Sequence, residues 1–291
     1  QAQSLVESEN VTITDSQGTS AQLPINPRVV CLYGSYADAW LLAGGELVGV
    51  TQDAVDERGL DVGDAQIVGT VKEPNAETII ALEPQLVLLS SDVAAQQDML
   101  GVLEGAGLTC LSFRVDTFDD YAKMMEEFCK ATGRQENLEQ AVEKPLAQIE
   151  AARSQYSFTE DPPRVLLMRA FSTGIKAKTD DELAGAILKD LGCVNIADSQ
   201  TSMLEDLSLE EVISADPDFI FVTTMGDEKK ALEYLDSQIM ENPAWSQLSA
   251  VKEGRYAVLP KDLFHYKPNA RWGESYAYLG GLLQAWDQRD A

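Results

Sequence analysis

The sequence predicts an α/β fold made of two similar lobes joined by one long helix. Three observations carry this. Apolar strand-like runs alternate with helical patterns, the order that builds a mainly parallel sheet with helices on its faces. The pattern restarts after a charged helical stretch near the middle of the chain. And the two halves share a repeat at a fixed offset of 133 residues. A length of 291 residues, 45% of them hydrophobic, suits two ordinary domains better than one core. The expected division is an N-terminal extension with a β-hairpin over 1–26, an N-terminal lobe over 27–135, a linking helix over 136–160 and a C-terminal lobe over 161–291.

The elements follow in order. NVTITDSQGTSAQLP (10–24) alternates apolar and polar residues around Asp15, Ser16, Gln17 and Gly18, which reads as a hairpin. RVVCLY (28–33) is a short apolar strand, ADAWLLAGG (37–45) a helix closed by glycine, and LVGVT (47–51) the next strand. A helix over 75–83, a strand over 84–91, a helix over 94–107, a strand over 108–114 and a helix over 118–133 complete the first half. The stretch over 136–156 is helical and charged, and Pro145 should kink or break it. At about 1.5 Å per residue it would reach roughly 30 Å. The second half reads as a strand over 164–170, helices over 181–192 and 209–216, a strand over 217–224, a helix over 228–240, a strand over 254–260 and a last helix over 273–286.

The repeat aligns Glu77 with Glu210, Ile80 with Ile213, Pro84 with Pro217, Val87 with Ile220, and Ser90-Ser91 with Thr223-Thr224. The bland alternative is that helix–proline–strand is a common junction in α/β proteins.

Composition removes several function classes. The net charge of −26 repels nucleic acid and anionic lipid. No apolar run approaches the roughly 18–20 residues that span a bilayer. No G-x-G-x-x-G follows the first strand, and neither a phosphate-binding P-loop nor a G-x-S-x-G elbow is present. An enzyme on a doubly wound fold is the rival from another class, but nothing pairs the single histidine, His265, with a nucleophile. Cys31, Cys110, Cys129 and Cys193 are widely spaced and form no C-x-x-C, so they are expected to be buried free thiols.

Five segments stand out by their order and spacing: ITDSQGTSAQLPINPRVVCL (13–32), LLAGGELVGVT (41–51), VGTVKEPNAETIIALEPQLVLLS (68–90), LSLEEVISADPDFIFV (207–222) and NPAWSQLSAVKEGRYAVLP (242–260). Together they resemble the class III periplasmic binding proteins, the group that includes cobalamin-, haem- and siderophore-binding subunits of ABC importers. The resemblance implies two Rossmann-like lobes bridged by a rigid helix, a ligand held in the cleft between them, and delivery to a membrane permease with an ATPase behind it. It implies an extracytoplasmic monomer, attached to the membrane only through an anchor lost ahead of Gln1. It implies no catalytic residue, no intrinsic cofactor and no metal site. The ligand is expected to be an iron chelate, a ferric siderophore first, with haem or cobalamin as alternatives. Glu77 and Glu210 match the family's permease-docking glutamates, and paired carboxylates at fixed separation suit two arginine pockets. Both also sit in a first helical turn behind Asn75 and Ser208, where an acid is stabilised by the helix dipole alone.

Ligands of open α/β sheets bind beyond the carboxyl ends of the strands. The candidates are Tyr33, Ser35, Tyr36, Thr70, Lys72, Ser91 and Arg114 in the first half. In the second half they are Arg169, Phe171, Lys176, Lys178, Met225, His265 and Arg271. RVLLMRAFSTGIKAK (164–178) holds four basic residues in fifteen, where the chain average gives about one. Concentrated positive charge after a strand suits an anion, Arg by planar bidentate bonding and Lys as a point charge. Its alternative is a solvated turn whose lysines pair with surface acids. In DLFHYKPNARWGESY (262–276), Phe264, His265, Tyr266 and Trp272 either wall a flat ligand or belong to the core. One histidine makes a bare zinc or manganese site a poor fit. Haem would need His265, Tyr33 or Tyr36 as axial ligand, and the basic cluster weighs against cobalamin.

Overall fold

The computed structural model describes residues 9–288. The chain divides into two compact units that meet between Lys144 and Pro145.

In the first unit β1 (Asn10–Thr14) and β2 (Ser20–Pro24) form the expected antiparallel hairpin. Five strands follow: β3 (Val29–Cys31), β4 (Leu47–Val50), β5 (Gln66–Ile67), β6 (Leu86–Ser90) and β7 (Cys110–Phe113). They pair in parallel in the order β5-β4-β3-β6-β7. Both faces of β3 and β6 are buried, as their unbroken apolar runs require. Val30, Leu32, Val87 and Leu89 pack with Ile79 and Leu103 on one face. On the other, Phe128 of the helix Phe118–Thr132 stacks edge-on against Phe113 and Trp40, ring centres 5.2 and 5.3 Å apart.

The hairpin is fastened by one carboxylate. Asp15 Oδ1 accepts the N–H groups of Gln17 and Thr19 at 2.9 Å, which shapes the turn, and Gly18 supplies the left-handed φ of 84°. Oδ2 accepts Ser112 N–H of β7 at 2.9 Å. The hairpin is therefore part of the first unit rather than an extension to it.

The second unit contains β8 (Arg164–Phe171), β9 (Gly174–Ala177), β10 (Val194–Asn195), β11 (Phe219–Thr224) and β12 (Tyr256–Val258). Four run parallel in the order β10-β8-β11-β12, and β9 folds back antiparallel on β8. Leu166, Met168, Ile220 and Val222 build one apolar face with Val212 and Leu235. Burying each such side chain contributes roughly 1.5–3 kcal/mol.

The repeat is structural. Asn75 and Ser208 both cap a helix, accepting from Thr78 N–H and Glu211 N–H. Glu83 and Asp216 both end that helix in the left-handed region, at φ 47° and 37°. β6 and β11 then start at Leu86 and Phe219. Each pair is separated by the same 133 positions.

The helix expected over 136–160 is irregular ahead of Pro145 and ends at Gln155. A 3-10 turn (Gln135–Asn137) leads into a π-helical turn (Glu139–Glu143), and the α-helix proper is Lys144–Gln155. Pro145 has no N–H to give the carbonyl of Ala141, four residues back. That carbonyl is instead taken by the Tyr121 hydroxyl at 2.7 Å. The helix expected over 94–107 also breaks, at Met99, into Ala94–Asp98 and Leu100–Gly105.

Candidate functional site

In each unit the strand order reverses once, between β3 and β6 and between β8 and β11. Loops diverge at such points and leave a crevice beyond the strand ends. Of the basic cluster, Arg169 and Lys176 lie toward the carboxyl end of β8, whereas Arg164 starts that strand at the opposite end and donates to Ala215 O at 3.0 Å. Register places Arg169 of β8 opposite Lys176 of β9 on one side and Thr223 of β11 on the other. One row across three strands thus carries two cations and a hydroxyl.

Arg169 is anchored. Its Nη2 lies 3.0 Å from Glu182 Oε1, and that oxygen also accepts the Thr223 hydroxyl at 2.6 Å. The arginine side chain keeps 19% of its surface open and the glutamate 2%. Lys176 is exposed, whereas Lys178 is paired with Asp181 at 2.9 Å. Phe171 ends β8 partly buried, and Met225, just past β11, is 43% exposed. The loop before Glu182 runs tightly over the next helix, Leu183–Asp190, and a Cβ at Gly185 would lie 1.8 Å from Thr179 O. Only glycine allows that approach.

His265 is half-buried near this cluster. Burial first, then the charges of Lys261 and Arg169, lower its pKa from 6.5 to about 4, so the imidazole is neutral near pH 7. Arg271 lies apart from Arg169's pairing, bound to Asp262 and Glu274 at 2.7 Å each. Phe264 and Trp272 are 2% and 3% exposed, so they are core residues and not a ligand wall.

In the first unit, Tyr33 follows β3 and caps the helix Gly34–Leu42. Burial, then the charges of Asp53 and Asp92, push its hydroxyl up to about 12. Ser91 follows β6 and gives its hydroxyl to Phe113 O at 3.4 Å. Arg114 follows β7 and is held by Asp116 at 2.6 Å and Asp92 at 3.3 Å. Lys72 is exposed in the turn after β5, where the Thr70 hydroxyl accepts Glu73 N–H. Tyr36 is corrected: its side chain has no exposed surface, and its hydroxyl donates to Phe113 O at 3.2 Å. It packs edge-on against Tyr33 and supports that ring from within the core. Ser35 is likewise buried, 3.4 Å from Arg58 Nη1.

Sequence reading missed Glu182. An acid directly before an apolar helix looks like a cap, and only the fold shows that this one turns to Arg169.

Glu77 and Glu210 are both exposed in the first turn of a helix. Among the described residues neither has a hydrogen bond or ion pair. The neighbouring Glu211 is the capping acid, bonded to Ser208 N–H at 3.1 Å. Glu210 borders a pocket of about 380 Å³ with Ile213, Tyr234 and Gln238. All four cysteines are free and buried. No described helix is long and apolar enough to cross a membrane, and no described cluster of His, Cys, Asp or Glu is arranged to hold a metal ion.

Two α/β units, each with charged and aromatic groups gathered at its strand ends, define a binding protein. The chain matches the family described as Periplasmic binding protein over residues 29–263, and it belongs to that family. The Fe(3+)-citrate-binding protein YfmC of Bacillus subtilis is 26% identical over 260 residues, covering 86% of this chain and 78% of the relative. The crystal structure of Staphylococcus aureus SirA complexed with staphyloferrin B superimposes with a TM-score of 0.69 at 20% identity, covering 95% of this chain and 98% of that one. The catecholate-siderophore binding protein VctP of Vibrio cholerae gives a TM-score of 0.72 at 19% identity, with 95% and 100% covered.

Proposed function

We propose that this protein is the extracytoplasmic substrate-binding subunit of an ABC importer and that its cargo is an anionic ferric chelate. The observation that carries the reading is Arg169, a strand-end guanidinium with Lys176 opposite it, in a chain of net charge −26. Arginine held in a fixed plane is suited to carboxylate or catecholate oxygens. The ligands of the similar proteins, ferric citrate and siderophores, are chelates of that kind. Glu77 and Glu210, on equivalent helices and with no partner among the described residues, are the docking carboxylates for a permease driven by an ATPase.

The test is a binding screen with ferric citrate, a ferric catecholate, a ferric hydroxamate, haem and cobalamin. A ligand at 100 times its Kd adds about 2.7 kcal/mol of stability, a measurable rise in Tm. An anionic ferric chelate is expected to bind, and Arg169→Ala to weaken it by roughly 1.5–3 kcal/mol, the scale of a charged hydrogen bond. Unchanged affinity in that variant removes Arg169 from the site, and silence across the panel overturns the cargo.

A further inference from the structure

Glu182 occupies the N-cap position of the helix Leu183–Asp190 yet makes no capping bond. An acid there ordinarily accepts from the first free N–H groups of the helix. Here the side chain turns the other way, to Arg169 and Thr223. The arrangement is costly for folding. Glu182 Oε2 is buried without a hydrogen-bond partner, and so is Arg169 Nε. Buried ion pairs with unsatisfied atoms are frequently no more stable than apolar replacements. Stability alone therefore gives no reason for a carboxylate at this point, whereas the use of Arg169 does.

We propose that Glu182 is a positioning and specificity-determining residue that sets both the orientation and the effective charge of Arg169. This rests on the reading of Arg169 as the group that holds an anionic ligand. The glutamate fixes one edge of the guanidinium, and the Thr223 hydroxyl fixes the glutamate. Arginine carries five N–H donors in a rigid fork, so pinning one edge determines where the others point. The carboxylate also cancels most of the arginine's charge at the strand ends. The site then recognises ligand oxygens by bond geometry more than by net attraction, and chelates of high negative charge gain little advantage over less charged ones.

The discriminating variant is Glu182→Gln. The amide oxygen keeps both bonds of Oε1, and the amide nitrogen falls where Oε2 has no partner, so shape and orientation are retained while the compensating charge is lost. Dissociation constants for ferric citrate, a trianionic ferric tris-catecholate and an uncharged ferric trihydroxamate are read from tryptophan fluorescence at low and high salt. The affinity ratio of the trianion to the uncharged chelate is expected to rise on the order of tenfold at low salt, and to shrink toward the wild-type ratio at high salt. A role in folding alone would lower Tm without moving that ratio. Thr223→Val supplies the second arm: it keeps the carboxylate but frees it to turn, and is expected to weaken the anionic chelates several-fold and to lower the affinity ratio of the trianion to the uncharged chelate. If wild type binds an anionic chelate but neither variant changes its affinity relative to the uncharged one, the role of Glu182 is overturned and the cargo reading stands. If wild type binds neither anionic chelate, the cargo reading falls and takes this role with it.

Discussion

His265 is held neutral because a proton on it would face burial together with the positive charges of Lys261 and Arg169. Its pKa is depressed from 6.5 to about 4 in the folded chain. Between those values the unfolded chain binds a proton that the folded chain refuses, so stability falls as pH drops through that window. Thermal melts between pH 7 and pH 4 should show this loss, and His265→Gln should reduce the slope between pH 6.5 and 4 relative to wild type. An identical slope in the variant would show that the imidazole carries no part of it. Residue chemistry was the least legible level in the sequence. The density of cations over 164–178 pointed to β8 and β9, yet it could not separate Arg169, which is set into the row of strand ends, from Lys178, which is tied to Asp181. Tyr36 was a ligand candidate because it follows a strand. It is buried because the helix Gly34–Leu42 begins at once and turns that position inward.

At the scale of elements, the junction around Pro145 shows how a missing donor is accommodated. Ala141 is 1% exposed, and its carbonyl depends on the Tyr121 hydroxyl. Tyr121→Phe removes that donor while keeping the ring, and should destabilise the protein by about 1–3 kcal/mol, the cost of a buried unpaired carbonyl. Urea unfolding measures it, and a change below about 0.5 kcal/mol would show that the π-helical turn satisfies the carbonyl unaided. The proline was visible in the sequence as a breaker, but the hydroxyl that answers it lies 20 residues away in the chain. Long apolar strands such as β6 and β11 were legible for the opposite reason, since their burial on both faces leaves an unbroken run of apolar residues. The two-residue strands β5 and β10 and the returning strand β9 were not. Segments so short have no periodicity, and pairing with a neighbour alone makes them strands.

For the whole molecule, the repeat provides two equivalent exposed carboxylates with no partner among the described residues. Glu77→Ala combined with Glu210→Ala should abolish uptake of the cargo in cells while its affinity for the isolated protein stays unchanged. Normal uptake by the double variant would dissociate these residues from docking. The duplicated plan was legible because it is written in apolar runs and prolines, which tolerate few alternatives. The division at Lys144 and Pro145 falls inside the segment expected to link the two halves, where the π-helical turn gives way to the α-helix. The buried cysteines give the plan a practical corollary. Burial pushes the thiols of Cys31, Cys110 and Cys193 up to about 12 and that of Cys129 to about 11. Thiolates react and thiols do not, so a native sample stays silent toward alkylating dyes. Three of the four report on the first unit and Cys193 alone on the second. Labelling kinetics would thus time the opening of each half separately, using only the probes the chain already carries.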